Sequence, residues 1–85
     1  MMLDAIARNE KQIGAILRRA RRKAGLTQEA LGDRVHLRQG TISHLEAGKP
    51  AVQLRTLMVT LSSLGLEIVV RRRTRGSPAD FEDLF

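Results

Sequence analysis

The sequence predicts a mainly α-helical fold of four to five short helices, closed at its C-terminal end by one β-strand that pairs across a dimer. Three observations carry that expectation. Apolar residues recur at helical spacing through residues 10–65. Hydroxyl, amide and glycine residues punctuate the same stretch where helices would start and stop. The apolar period then changes to two at Leu66. Eighty-five residues bury only a modest core, and with no cysteine neither a disulfide nor a thiolate–metal site can reinforce it. The missing stability is expected from a second subunit.

Residues 1–9 form a lead-in in which Leu3 and Ile6 are available to dock a frayed turn. Asn9, with Gln12 three residues on, fits a capping box and starts the first helix near Glu10. Ile13, Ile16, Leu17, Ala20 and Ala24 make its apolar stripe, and Gly25 is the expected terminator. Arg18, Arg19, Arg22 and Lys23 lie largely off the stripe, either as a solvated face or as contacts to phosphates.

Thr27 is placed to cap a second helix over residues 28–35, with Leu26, Ala30, Leu31 and Val35 inward. A few turn-tolerant residues lead to a third helix over residues 39–47, with Ile42 and Leu45 inward. Two short helices, a tight turn and a polar outer face make a helix-turn-helix, whose second helix fits the major groove of B-DNA. Arg38, Gln39, Thr41, Ser43 and His44 are the expected base contacts, since arginine suits guanine and glutamine suits adenine, with phosphate contact alone the alternative for Ser43 and His44. Gln28 at a helix N-terminus, Gly40 by close backbone approach, and Lys49, Arg22 and Lys23 by charge are the expected contacts to the DNA backbone. Drift explains a glycine at position 40 equally well.

Gly48, Lys49 and Pro50 turn the chain into a fourth helix over residues 54–64, with Leu54, Leu57, Met58, Leu61 and Leu64 apolar and Gly65 closing it. Residues 10–65 thus form the DNA-binding unit. Residues 66–73 read as a strand, with Leu66, Ile68 and Val70 on one face and Val69 on the other. A lone strand cannot satisfy its own backbone, so the same segment of a second copy is the simplest partner. Extension of the fourth helix is the competing reading. Arg71, Arg72, Arg73 and Arg75 would guard the strand edge or add to the DNA-facing charge.

Residues 74–85 break the composition. Gly76, Ser77 and Pro78 make a hinge, and Phe81, Leu84 and Phe85 sit among three acidic residues. These rings and Leu84 are expected to dock into a partner protein, against the alternative of a merely disordered end.

Charge separates the two parts. The net charge is +6, but residues 1–75 hold all fifteen basic and six of the nine acidic side chains, hence +9. Such a body should bind polyanions by counterion release, although a basic surface also serves plain solubility. His36 and His44 lack neighbouring ligands at metal spacing, so no metal or other cofactor is expected. No catalytic grouping or phosphate loop is present in the globular part, so the chain is not expected to be an enzyme. Nothing at the N-terminus resembles a signal peptide and no apolar run approaches the ~18 residues of a membrane span, so a cytoplasmic protein, nucleoid-associated when bound to DNA, is expected.

The segments LTQEALGDRV and TISHLEAGK resemble the Xre/Cro class of helix-turn-helix proteins, with a lambda-repressor-like fold implied over roughly residues 12–65. The resemblance implies an ion pair between Arg21 and Glu46 that fixes the third helix against the first. It also marks three departures: Gly32 where alanine is usual, His36 where glycine is usual, and Arg38 where a hydroxyl cap is usual. They should weaken the turn while adding positive charge towards DNA.

The layout after LGLEI further resembles the HipB group of antitoxins. That implies a homodimer on a palindromic operator, repressing its own operon and binding a HipA-like kinase toxin. A stand-alone repressor, or an adaptor acting through the acidic Phe-containing tail, are the alternatives.

Overall fold

The computed structural model describes residues 4–73. They form four helices: α1 (Glu10–Lys23), α2 (Gln28–Val35), α3 (Gln39–Glu46) and α4 (Leu54–Ser63). The caps follow from the sequence. Asn9 accepts a hydrogen bond from the Gln12 amide at 2.8 Å, and Thr27 Oγ1 accepts one from the Ala30 amide at 3.0 Å. The return half of the first capping box is shifted by one residue: Gln12 Oε1 accepts from the Arg8 amide at 2.6 Å rather than from Asn9.

α1, α3 and α4 end alike. Gly25, Gly48 and Gly65 take left-handed conformations at φ 74°, 77° and 72°. In each case the glycine's own amide and the next one fold back onto the last turn: Gly25 and Leu26 on Arg22 and Arg21, Gly48 and Lys49 on Leu45 and His44, and Gly65 and Leu66 on Ser62 and Leu61. This double return satisfies carbonyls that a helix end would leave orphaned.

Leu17, Leu31 and Ile42 are completely buried, and Leu45 and Leu61 nearly so. Each such side chain contributes roughly 1.5–3 kcal/mol through its removal from water. Leu17, Leu45 and Leu61 join α1, α3 and α4 at the centre, with Val52, Leu57, Leu64 and Leu66 packed around them. Thr60 is fully buried as well, and its hydroxyl donates to the Thr56 carbonyl at 2.8 Å.

Three expectations change. The buried line of α1 runs through Gly14, Leu17 and Arg21 rather than the apolar stripe alone; Ala24 is exposed. On α4, Leu54 and Met58 face solvent at 69% and 45% exposure, so that helix turns only part of its apolar surface inward. The expected strand is absent: residues 66–73 carry neither helix nor strand. Leu66 packs on the core, while Ile68, Val69 and Val70 are exposed. The physical reason is that one copy offers this segment no second ladder. Extension of α4 is also ruled out, because α4 ends at Ser63 and the left-handed Gly65 stops it. The tail with Phe81, Leu84 and Phe85, together with Arg75 and Leu3, lies outside the described residues.

Candidate nucleic-acid interface

The reading helix is held from behind by a charged joint. Arg21 Nε donates to Glu46 Oε2 at 2.6 Å and Nη2 to Oε1 at 3.0 Å, a two-point fork between α1 and the end of α3. Arg21 Nη1 also reaches the Leu26 carbonyl at 2.7 Å, tying in the entry to α2. Both ionic side chains are buried, with 7% and 8% of each residue exposed. The Arg21 pKa is raised above its ordinary value, chiefly by the hydrogen bonds to Glu46, with burial opposing and charge attraction assisting. The Arg21 side of the pair therefore stays charged up to the ordinary arginine range, and its contribution is lost only as pH climbs through the raised value.

Gly14 makes the joint possible. A Cβ there would overlap the Glu46 carbonyl oxygen and lie 2.7 Å from that of Leu45. Only a residue without a side chain lets α1 approach the α3 backbone so closely. The sequence does hold a signal for this contact, because glycine in mid-helix costs about 1 kcal/mol against alanine and so points to a close approach.

From the joint a line of amides runs outward. Gln28 Nε2 donates to Glu46 Oε1 at 3.2 Å, and Gln39 Nε2 donates to Gln28 Oε1 at 2.7 Å. The direction of this line is set by chemistry. A carboxylate paired with arginine only accepts, so Gln28 must turn its nitrogen to Glu46 and its oxygen to Gln39. Gln39 then keeps Oε1 and one N–H for a ligand, the acceptor and donor that an adenine edge needs. Periodicity marks neither bond, because both cross between elements.

The turn between α2 and α3 absorbs two departures from the family pattern at once. His36 is left-handed at φ 59°. The amides of His36 and Leu37 both return to the Gly32 carbonyl, Leu37 at 2.8 Å. A Cβ on residue 32 would lie 2.5 Å from the Leu37 carbonyl oxygen. Gly32 thus makes room for the Leu37 carbonyl in the turn that His36 enters left-handed. Arg38 begins α3 without a side-chain cap.

Arg38, Gln39, Gly40 and His44 are exposed on α3, and Thr41 and Ser43 are half-buried. A Cβ on Gly40 would meet nothing within 4 Å, so that surface is open. Gln28 is half-buried in the amide line; Arg22, Lys23 and Lys49 are exposed around it. Among the described residues no group of three or more His, Asp or Glu side chains could hold a metal ion, and no helix is long and apolar enough to cross a membrane.

The helix-turn-helix domain family matches residues 12–74. Similar solved structures include a HipA–HipB–O2–O3 complex, 26% identical over 82% of this chain and 97% of that chain, with a TM-score of 0.73. A substituted HipB in complex with an O2 20mer is 25% identical, over 84% of this chain and 97% of that chain, with a TM-score of 0.74. A HipB–O4 20mer complex gives 26%, 82%, 97% and 0.73 in the same order. No curated protein matches the chain.

Proposed function

The chain belongs to the helix-turn-helix domain family, and on that footing we propose that it is a non-enzymatic, sequence-specific DNA-binding repressor of the antitoxin type. The observation that carries this reading is the line from Arg21 through Glu46 and Gln28 to Gln39, which braces an exposed reading helix against the core. Gln39, with Arg38, Thr41, Ser43 and His44, meets base edges. Gln28, Gly40, Lys49, Arg22 and Lys23 meet the backbone. The partners named in the similar structures, a HipA and 20mers, support a HipA-like toxin and an operator as the two ligands.

Residues 66–70 support dimerisation. Leu66 anchors the segment to the core while Ile68, Val69 and Val70 have 45%, 71% and 82% of their surface exposed. Two copies pairing these segments about a two-fold axis present two reading helices to a palindrome, with half-sites roughly 34–36 Å apart. The acidic tail with Phe81, Leu84 and Phe85 docks the toxin, and the operon repressed is the protein's own, in the cytoplasm.

Selection of bound duplexes from a random pool tests the DNA reading. A palindromic consensus is expected, with Gln39→Ala weakening the selected site by ~1–3 kcal/mol and leaving random duplex binding nearly unchanged. A parallel fall on both DNAs would remove α3 from the groove. Co-purification from the native host, with the full chain and a form ending at Arg75, tests the toxin. A kinase-sized partner retained only by the full chain supports tail docking; selected DNA with no stoichiometric protein in either case favours the stand-alone repressor.

A further inference from the structure

α1 carries a second charged surface that no base-reading role explains. Lys11, Arg18, Arg19 and Arg22 line an open groove of about 480 Å³ together with Ala15 and with Glu46 and Ala47 at the end of α3. The only carboxylate among these lining residues is already matched by the Arg21 fork, so the four cations there face no free counter-charge within the groove. Glu10, the only acidic residue of α1, lines a different and smaller hollow.

We propose that this groove is a seat for the sugar–phosphate backbone flanking the bases that α3 reads, with Lys11 and Arg18 as backbone contacts. The inference rests on the DNA-binding reading above. Two lengths support it. α3 has eight residues and is therefore about 12 Å long, close to the width of the major groove. A helix whose first turn meets the bases thus delivers its last turn, which borders the basic groove, to a groove wall. Lys11 and Arg22 are eleven residues apart on one helix, about 16 Å, enough to follow several phosphates at ~3.4 Å of axis per strand charge. The α1 backbone at Lys11 is held against the turn after α3, because the left-handed Gly48 packs on it: a Cβ at 48 would lie 2.6 Å from Lys11 Cα.

The test uses the full chain and a random-sequence 30-base-pair duplex, with affinity followed between 50 and 200 mM salt. Lys11→Gln with Arg18→Gln should make the log–log salt slope shallower by about 1.8 for each subunit on the duplex, so that each subunit's share of the affinity falls roughly twelvefold less over that range. Arg34→Gln with Arg55→Gln removes the same charge from exposed positions outside the groove and is the control. A slope that moves only with the groove pair supports the seat. Equal shifts in both pairs would reduce it to net charge and overturn it. An unmoved slope in a groove variant that keeps its helical circular dichroism also overturns it, and gives the groove to an acidic protein surface instead. Failure of the unsubstituted chain to bind any duplex would sink the DNA reading itself, a result distinct from either.

Discussion

The joint between α1 and α3 and the segment after Gly65 are built on opposite terms. At the joint everything is closed: Arg21 and Glu46 are buried and satisfied, and Gly14 and Gly48 bring backbone against backbone. Among the described residues no buried side-chain polar atom lacks a partner. After Gly65 the chain leaves three large aliphatic side chains in solvent and forms no ladder. One copy therefore completes the reading head and leaves its C-terminal flank unfinished. Polar groups can be used inside a small domain when each is paired; apolar surface outside it marks where more protein is needed.

If that contrast is right, the largest effects come from the joint. Glu46→Ala strands the Arg21 charge in a buried site and should cost about 3–5 kcal/mol in urea unfolding, while the double change to Arg21→Met and Glu46→Leu recovers much of it. A single variant as stable as the unsubstituted protein would mean the pair is dispensable. Throughout the range below the ordinary arginine pKa the Arg21 side of this contribution should not titrate, because its pKa is raised rather than lowered. Gly14→Ala comes next, at about 1–3 kcal/mol, since the collision is with α3 backbone and not with a side chain that can swing away.

His36→Gly should act in the opposite direction. It relieves a left-handed backbone at an exposed residue and should stabilise by about 0.5–1 kcal/mol, part of the usual 1–2 kcal/mol penalty being lost to unfolded-chain entropy. Smallest of all on the single-copy fold is Val69→Lys, within about 0.5 kcal/mol for an exposed site. If two copies pair through residues 66–70 as proposed, its effect belongs to assembly: sedimentation should show weaker self-association although the melting of the separated subunit barely moves. A large loss of subunit stability would instead place Val69 in the monomer core.

What the sequence made legible is local. Asn9, Thr27 and the three terminating glycines announce the helices, because caps and left-handed turns depend on a few neighbouring residues. α2 runs over residues 28–35 as expected, and α3 and α4 each stop one residue short of expectation. The inward role of Arg21 was legible only through family resemblance; hydropathy places an arginine outside. Gly14 signals that something comes close, but what meets it, the shared turn of Gly32 and His36, and the Gln28 bonds were not legible, since each depends on which backbone or side chain arrives from another element. Leu54 and Met58 misled for the same reason: a helical stripe says which face is apolar, not how much of it the rest of the chain can cover. Residues 66–73 alternate as a strand should, yet alternation cannot supply the second strand.

The outward line of hydrogen bonds has an evolutionary consequence. Its inner members, Arg21 and Glu46, serve the fold, whereas Arg38, Gly40 and His44 lie on the surface with no share in the core. Descendants of this chain can therefore exchange the outer set and acquire a new target while inheriting the scaffold intact. Position 39 is the hinge of that freedom: a replacement that still accepts the direction imposed from Glu46 keeps a braced reader, and one that does not must find its own orientation.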